Sequence, residues 1–479
     1  MNWKPDRKAN KAVYRQIADY IEHGIASGEY LPDSMLPSER KLAIELGVNR
    51  STVVAAYEEL AAAGVVIRKK GSGTQVSSDI WGIAHKRIPN WGRYVEYGSF
   101  LPNLPLVQKI RNETQEHDII NLSSGELSPE LFPATEFQSI LAEMPFEAPL
   151  GYDHPQGNLE LRKTITSHIK ETKQIDTEPL SILITSGAQQ ALHLVIQCLL
   201  KPGDAVAIED PSYCYSLPIF QSAGLKTFLL PVDDNGMNPE DIRSLHKKHR
   251  IKMVFTNPTY HNPTGTVMSL TRRKQLLELS SELGLPIIED DPYSLTSFDG
   301  TFIPTLKSMD TNGTVLYISS LSKIVASGLR IGWIIGPKRV IERLADAKQQ
   351  VDFGHSIFPQ WIAHHFLQSS QFHQHITSLQ WELKKRRDAI VASLRYTLGN
   401  RVSYHAPKGG IHLWCRLNED VTPTRLLEES LTKGLAFLPG SVMGTQKNYV
   451  RFTFGRGENS EIEKGIARFA DALHSISES

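Results

Sequence analysis

Apolar residues Val13, Ile17, Tyr20, Ile21 and Ile25 recur at helical spacing, so one face of a helix over residues 12–25 is apolar, and Gly28 marks its end. The next stretch, LPSERKLAIELGVNRSTVVAAYEELAAAGVVIRKKGSGTQV, carries two more helices. Ser38, behind a proline, is suited to cap a short helix that ends at Gly47; Asn49 is suited to cap a second that runs to about Ala63, before Gly64. Helices joined by so short a turn form a helix-turn-helix. VVIRKKGSGTQV then predicts two short strands around a cationic glycine hairpin, a wing.

The pattern changes at residue 77. Trp81, Trp91, Tyr94, Tyr97 and Phe100 are interspersed with Pro89, Pro102 and Pro105, without a sustained period of either strand or helix. Residues 77–117 therefore read as a linker, and its aromatics predict that parts of it dock on a neighbouring surface. From residue 118 strand-like and helix-like runs alternate. SILIT precedes a helix from Ala188 to Leu200, and AVAIE, IKMVFT, LPIIED and TVLYIS are apolar runs that end in polar residues. This alternation predicts an α/β domain over 118–479, with a mostly parallel sheet between helices. Ligands of such sheets bind beyond the carboxyl ends of the strands. The expected organisation is multidomain: a mainly α winged helix-turn-helix over 1–76, the linker, and the α/β domain.

Charge and cysteine content narrow the function. Lysine plus arginine equals aspartate plus glutamate, 52 each in 479 residues, so no global field draws the chain to nucleic acid or membrane. A local patch must do so. Residues 1–78 hold eleven Lys/Arg against nine Asp/Glu, a weak excess, but Arg40, Arg50, Arg68, Lys69 and Lys70 gather on the turn, the second helix start and the wing. Cys198, Cys214 and Cys415 are far apart and odd in number, which argues against a disulfide framework and for a reducing, cytoplasmic compartment. Their spacing fits no zinc site, and no metal is expected. No apolar run approaches a membrane span.

The strand ends supply the chemistry. In SGAQQAL, Gly187 allows close backbone approach, and the free amides of Ala188 and Gln189 at a helix start make an anion site. IIEDDPYS offers Asp290 and Tyr293, HNPTG offers Asn262, and DPSYCYS offers Tyr213. SSLSKIVASGLR places Lys323 behind Ser320 and Ser322, with Arg330 seven positions on. One ligand fits them all, an aromatic aldehyde phosphate. Lys323 would carry it as a Schiff base, Asp290 would keep the pyridine nitrogen protonated, and Tyr293 with Asn262 would hold the ring hydroxyl. Tyr213 would stack on the ring, and Ala188, Gln189, Ser320, Ser322 and Arg330 would bind the phosphate.

Two resemblances follow. LPSERKLA, VNRSTV and GSGT match the winged helix-turn-helix of the GntR family of bacterial regulators. The resemblance implies DNA contacts from Ser38, Arg40, Asn49, Arg50, Ser51 and Thr52 to bases and phosphates, and from Lys70, Gly71, Ser72 and Gly73 along the minor groove or backbone. YDHPQGNLELR, SGAQQAL, NPTG, EDDPY, SLSK with GLR, and RFTF resemble, in that family's order, the fold type I aminotransferases of class I. That resemblance implies pyridoxal 5'-phosphate as cofactor and a smaller C-terminal α/β subdomain. It also implies that Tyr152 reaches the partner subunit's cofactor phosphate and that Arg451 clamps a substrate α-carboxylate. Ser327 departs from the family by standing where proline is frequent, and His355 and His412 are assigned no role.

The two halves in this order resemble the MocR subfamily of GntR regulators. The resemblance implies a head-to-tail homodimer on an operator with repeated half-sites, answering to an amino compound or to pyridoxal phosphate itself. Two function classes remain: a regulator whose aminotransferase-like domain has become a sensor, and a working aminotransferase with an accessory DNA-binding domain.

Overall fold

Ile17, Ile21 and Ile25 are buried along α1 (Val13–Ser27), as their spacing requires, and Gly28 closes that helix at φ +83°. In this computed structural model, residues 3–69, 73–78, 91–116, 118–143 and 151–477 are described, in two units, Met1–Ser99 and Phe100–Ser479. α2 (Glu39–Leu46) starts at Ser38, whose hydroxyl accepts the Lys41 N–H at 3.3 Å. α3 (Arg50–Ala62) starts after Asn49, but here the expected side-chain cap is missing: the exposed Asn49 side chain makes no capping bond, and its carbonyl takes the Thr52 N–H instead. Fully buried Tyr57 ties α3 to the α2 entry by donating to the Pro37 carbonyl at 2.6 Å. The wing is an antiparallel pair, β1 (Val66–Lys69) and β2 (Gly73–Val76). Gly73 sits at φ +94°, a left-handed backbone conformation that favours glycine. Lys70, Gly71 and Ser72 lie outside the described residues.

The larger unit is built on an eight-stranded sheet. Its strands are β3 (Ile182–Thr185), β4 (Ala205–Asp210), β5 (Lys226–Asp233), β6 (Gly236–Met237), β7 (Met253–Thr256), β8 (Ile287–Asp290), β9 (Val315–Ser320) and β10 (Gly332–Ile335). They lie in the order β3-β10-β9-β8-β7-β4-β5-β6. β10 runs antiparallel to both neighbours and β6 antiparallel to β5; the other pairs are parallel. Strand periodicity divides each buried run between two cores. Val206 and Ile208 pack with α4 (Ala188–Leu199) and helix 338–352, whereas Ala205 and Ala207 pack with helices 239–249 and 270–283.

A second, antiparallel sheet follows in the chain: β11 (Val402–Tyr404), β12 (His412–Leu417), β13 (Leu438–Pro439) and β14 (Tyr449–Thr453), in the order β11-β12-β14-β13. Ile120–Asn121 pairs with Leu435–Ala436, so the segment after residue 118 joins this smaller subdomain. The linker differs from its reading. Pro105–Glu116 is a helix whose Ile110 is buried with Leu104, Leu106 and Val107 against the core of the larger unit. Its apolar positions span too few turns to show a period. Leu101 N–H donates to Ser222 Oγ at 3.0 Å and the Phe100 ring lies 5.7 Å from His193. Trp91, Tyr94 and Tyr97 stay exposed, and Trp81 and Pro89 fall outside the described residues. Among the described residues no helix is long and apolar enough to cross a membrane.

Candidate functional site

The carboxyl ends of β3, β4, β7, β8 and β9 open on one cavity of about 250 Å³. Ala188, Gln189, Tyr213, Asn262, Asp290, Tyr293, Ser320, Ser322, Lys323, Arg330 and Arg451 all line it. Gly187 stands just behind: its φ is +80°, and a Cβ there would come within 2.6 Å of Arg330 Nη2. Tyr152 is not among the lining residues. It is 87 % exposed, with Phe353 as its ring neighbour at 5.2 Å.

Lys323 follows β9 in a single 3-10 turn and donates from Nζ to the Gly125 carbonyl. Burial lowers its pKa to about 8, against the opposing pull of Glu126 and Asp290 and with help from Arg451 and Arg330. Roughly a fifth of the amine is thus neutral near physiological pH, far more than for an exposed lysine, and neutral is the form a carbonyl carbon needs. Asp290 has the opposite perturbation: burial, then Asp291 and Glu209, push it up to about 7, while Lys323 opposes. Its Oδ1 is buried without a hydrogen-bond partner. An orphaned carboxylate oxygen is costly unless a ligand brings a donor.

Two guanidiniums face the same space. Arg330, at φ +53°, donates to the Ser327 carbonyl at 3.0 Å and the Ser186 carbonyl at 2.8 Å. Arg451, 4 % exposed on β14, donates to Asn262 Oδ1 at 3.0 Å and the Ser123 carbonyl at 2.5 Å, and its Nε is unpartnered. Burial lowers its pKa to about 10. Among the described residues neither arginine pairs with a carboxylate. Beside Arg330, α4 begins at Gly187 with no side-chain cap, which leaves its first-turn amides to a ligand. A ligand with a phosphate at one end, a protonated ring nitrogen facing Asp290 and a carbonyl facing Lys323 fits the Arg330 end, the orphaned Asp290 oxygen and the lysine, and leaves the Arg451 Nε for a further group.

Sequence reasoning missed the frame beneath these groups. Glu209, on β4, accepts the Thr256 hydroxyl and the Asn257 N–H, each at 2.7 Å. Asn257 then donates from Nδ2 to the Asp290 carbonyl and accepts the Asn262 N–H, again at 2.7 Å. One amide side chain thus fixes the two strand-end loops that carry Asp290 and Asn262. Its signal was present, a polar residue directly after the apolar run of β7. Gly125 and Glu126 also line the cavity; a two-residue strand brings them there, and no periodicity announces it.

In the smaller unit Arg50 donates to Glu39, and Arg68 to Glu39 and Glu58. Arg40 and Ser51 are exposed and Thr52 is half-buried near the start of α3. Arg40, Arg50, Ser51 and Gly73 are therefore solvent-accessible in one small domain, with Ser38 and Asn49 at the two helix starts.

Comparison with known proteins separates the halves in the same way. Residues 13–76 match the bacterial regulatory proteins of the gntR family, and residues 117–469 match aminotransferase class I and II. The uncharacterized HTH-type transcriptional regulator YisV of Bacillus subtilis is 38 % identical over 477 residues, covering 99 % of this chain and 98 % of that one. YdfD of the same organism, likewise named an HTH-type transcriptional regulator, is 39 % identical over 97 % of both chains. Among solved structures, Pyrococcus horikoshii kynurenine aminotransferase in complex with PMP superimposes with a TM-score of 0.75 at 31 % identity, over 81 % of this chain and 99 % of that one.

Proposed function

The chain belongs to the MocR type of regulator, a GntR helix-turn-helix continued by a class I and II aminotransferase domain, and from that premise we propose that it reports the occupancy of its cofactor cavity to DNA. The cofactor is pyridoxal 5'-phosphate. The observation that carries this reading is the pair Arg330 and Arg451, two guanidiniums that have no carboxylate partner among the described residues and face one cavity with a lysine of lowered pKa.

Bound there, the cofactor supplies an aldehyde that captures amines and a ring that withdraws electrons. The side chains do the rest. Lys323 offers the neutral amine, and Asp290 holds a proton on the ring nitrogen. Arg330, Ser320, Ser322 and the amides of Ala188 and Gln189 grip the phosphate next to Gly187. Tyr213 covers the ring face, and Asn262 with Tyr293 takes the ring oxygen. Arg451 would orient the carboxylate of an incoming amino compound, whose arrival would shift the population that binds DNA. In this reading Tyr152 reaches the phosphate held by a second copy, so the working unit is a head-to-tail homodimer, and its symmetry asks for repeated half-sites. DNA contacts come from Ser38, Arg40, Asn49, Arg50, Ser51, Thr52 and the wing residues Lys70 to Gly73. The protein acts in the cytoplasm.

A footprint of the purified protein on the DNA flanking its own gene tests the proposal, without cofactor, with pyridoxal phosphate, and then with a panel of amino compounds. Protection that changes with cofactor or amine is expected; no protection even at low salt, where phosphate contacts are strongest, would overturn it. The likeness to a kynurenine aminotransferase favours a second reading, amino-group transfer. Sustained multiple turnover with an amino donor and a keto acid would put that reading first.

A further inference from the structure

His412 begins β12 directly opposite Thr453 of β14 and is 2 % exposed. Its Nδ1 is 3.0 Å from Thr453 Oγ1 and its Nε2 is 3.0 Å from the Tyr293 hydroxyl. Burial, with the Arg451 and Lys323 charges nearby, holds the imidazole well below its ordinary pKa, so the ring carries a single N–H between two hydroxyls. Gly125 brings this ring near the lysine: a Cβ there would lie 3.5 Å from His412 Cε1 and 3.8 Å from Lys323 Nζ.

The direction of this chain of hydrogen bonds follows from its closed end. Thr453 is fully buried, and among the described residues its hydroxyl has no partner other than His412. A buried hydroxyl proton needs an acceptor, so it goes to Nδ1, which leaves the imidazole proton on Nε2. Nε2–H then donates to the Tyr293 oxygen. Asn262, whose Oδ1 is taken by Arg451, offers its amide to the same oxygen. With its oxygen accepting on both sides, Tyr293 turns its own proton to the cavity.

We propose that His412 is a positioning residue: held in the Nε2–H tautomer by Thr453, it aims the Tyr293 hydroxyl proton at the ring oxygen of the cofactor. This rests on the cofactor reading above. A hydrogen bond donated to that oxygen would weaken its hold on the proton it shares with the Lys323 nitrogen. Losing the bond therefore raises the pH at which the cofactor's absorbance changes.

The test is a spectrophotometric pH titration of the full-length protein loaded with pyridoxal phosphate. His412→Phe should raise the midpoint by about one pH unit, a tenfold gain in proton affinity, and His412→Gln, which keeps a donor at the Nε2 position, should return it toward the parent value. Thr453→Val removes the proton source for Nδ1 without touching the ring, and should raise the midpoint part of the way. In a Tyr293→Phe background His412→Phe should add nothing. An unchanged or lowered midpoint in both His412→Phe and Thr453→Val, or full additivity with Tyr293→Phe, would overturn the assignment. Should the parent protein show no pH-dependent cofactor absorbance at all, the cofactor reading falls, and this proposal with it.

Discussion

Arg50, the first residue of α3, donates from Nε and Nη2 to a single oxygen of Glu39, at 3.2 and 2.9 Å. The other Glu39 oxygen takes Arg68 of the wing at 2.5 Å. One carboxylate at the start of α2 therefore holds both a helix-start arginine and a wing arginine. The Arg50 side chain is 70 % exposed and that of Glu39 16 %, so the pair adds about 1 kcal/mol or less to stability. Its consequence is geometric: Arg50 is held in one direction before DNA arrives.

Glu39→Gln should therefore leave thermal stability nearly unchanged while releasing Arg50 and leaving Arg68 with Glu58 alone. Affinity for random duplex should rise, and the ratio of operator to random affinity should fall. Titrations on both DNAs at one fixed salt concentration measure this. Arg50→Ala is expected to lose ~1–3 kcal/mol on the operator with much less change on random duplex, the pattern of a base contact. An equal loss on both DNAs would make Arg50 a phosphate contact.

Lys323→Ala should abolish the absorbance of the lysine-bound cofactor while leaving DNA affinity without effector largely intact. The pH dependence of capture carries a sign. Neutral amine accumulates as pH rises toward the Lys323 pKa of about 8, so the rate at which cofactor-free protein takes up pyridoxal phosphate should climb from pH 6 and level off above about 8. Glu126 opposes the downward shift. Glu126→Gln should move that plateau to lower pH in a stopped-flow absorbance series.

Asp290 links the site to stability. Its folded pKa of about 7 is raised above the ordinary carboxylate value by burial, so the cofactor-free folded state holds this proton more tightly than the unfolded chain does. The stability it contributes is present at acid pH and is lost as pH rises through about 7. Asp290→Asn keeps the shape without the charge. Cofactor-free protein carrying it should melt roughly 2–4 °C higher at pH 8, with little difference at pH 5, and should bind pyridoxal phosphate more weakly. Calorimetric melting at the two pH values checks it.

Asp290 also shows why so much of the site could be read from sequence. It ends a strand buried on both faces, where an apolar run stops abruptly at a charge. Ser320 and Tyr213 are found by the same contrast, and Ser38, Gly28 and Gly47 by helix-end chemistry. Asn257 was passed over because an amide after a strand looks like any turn residue until its three partners are seen together. The Pro105–Glu116 helix escaped because Ile110 alone among its described residues is buried, too little to mark a face in the sequence. The N-cap at Asn49 misled because propensity names a position and not the bond made there.

On the proposed reading, Arg451 sets the class of effector. Its guanidinium is fixed by Asn262 Oδ1 and the Ser123 carbonyl, and burial without a carboxylate partner leaves its charge uncompensated among the described residues. A carboxylate arriving there replaces lost hydration with charge-assisted bonds from a guanidinium that is already oriented. Amino acids should then perturb the cofactor absorbance at far lower concentration than the matching amines that lack the carboxylate. Arg451→Lys keeps the charge but loses the planar fork that makes the two positioning contacts and matches a carboxylate bidentately, and Arg451→Gln removes the charge. Each should raise the half-saturating concentration of an amino acid at least tenfold, about 1.4 kcal/mol, and leave that of the simple amine nearly unchanged. Equal losses for both ligands would mean that Arg451 supports Asn262 and the cofactor ring rather than the effector.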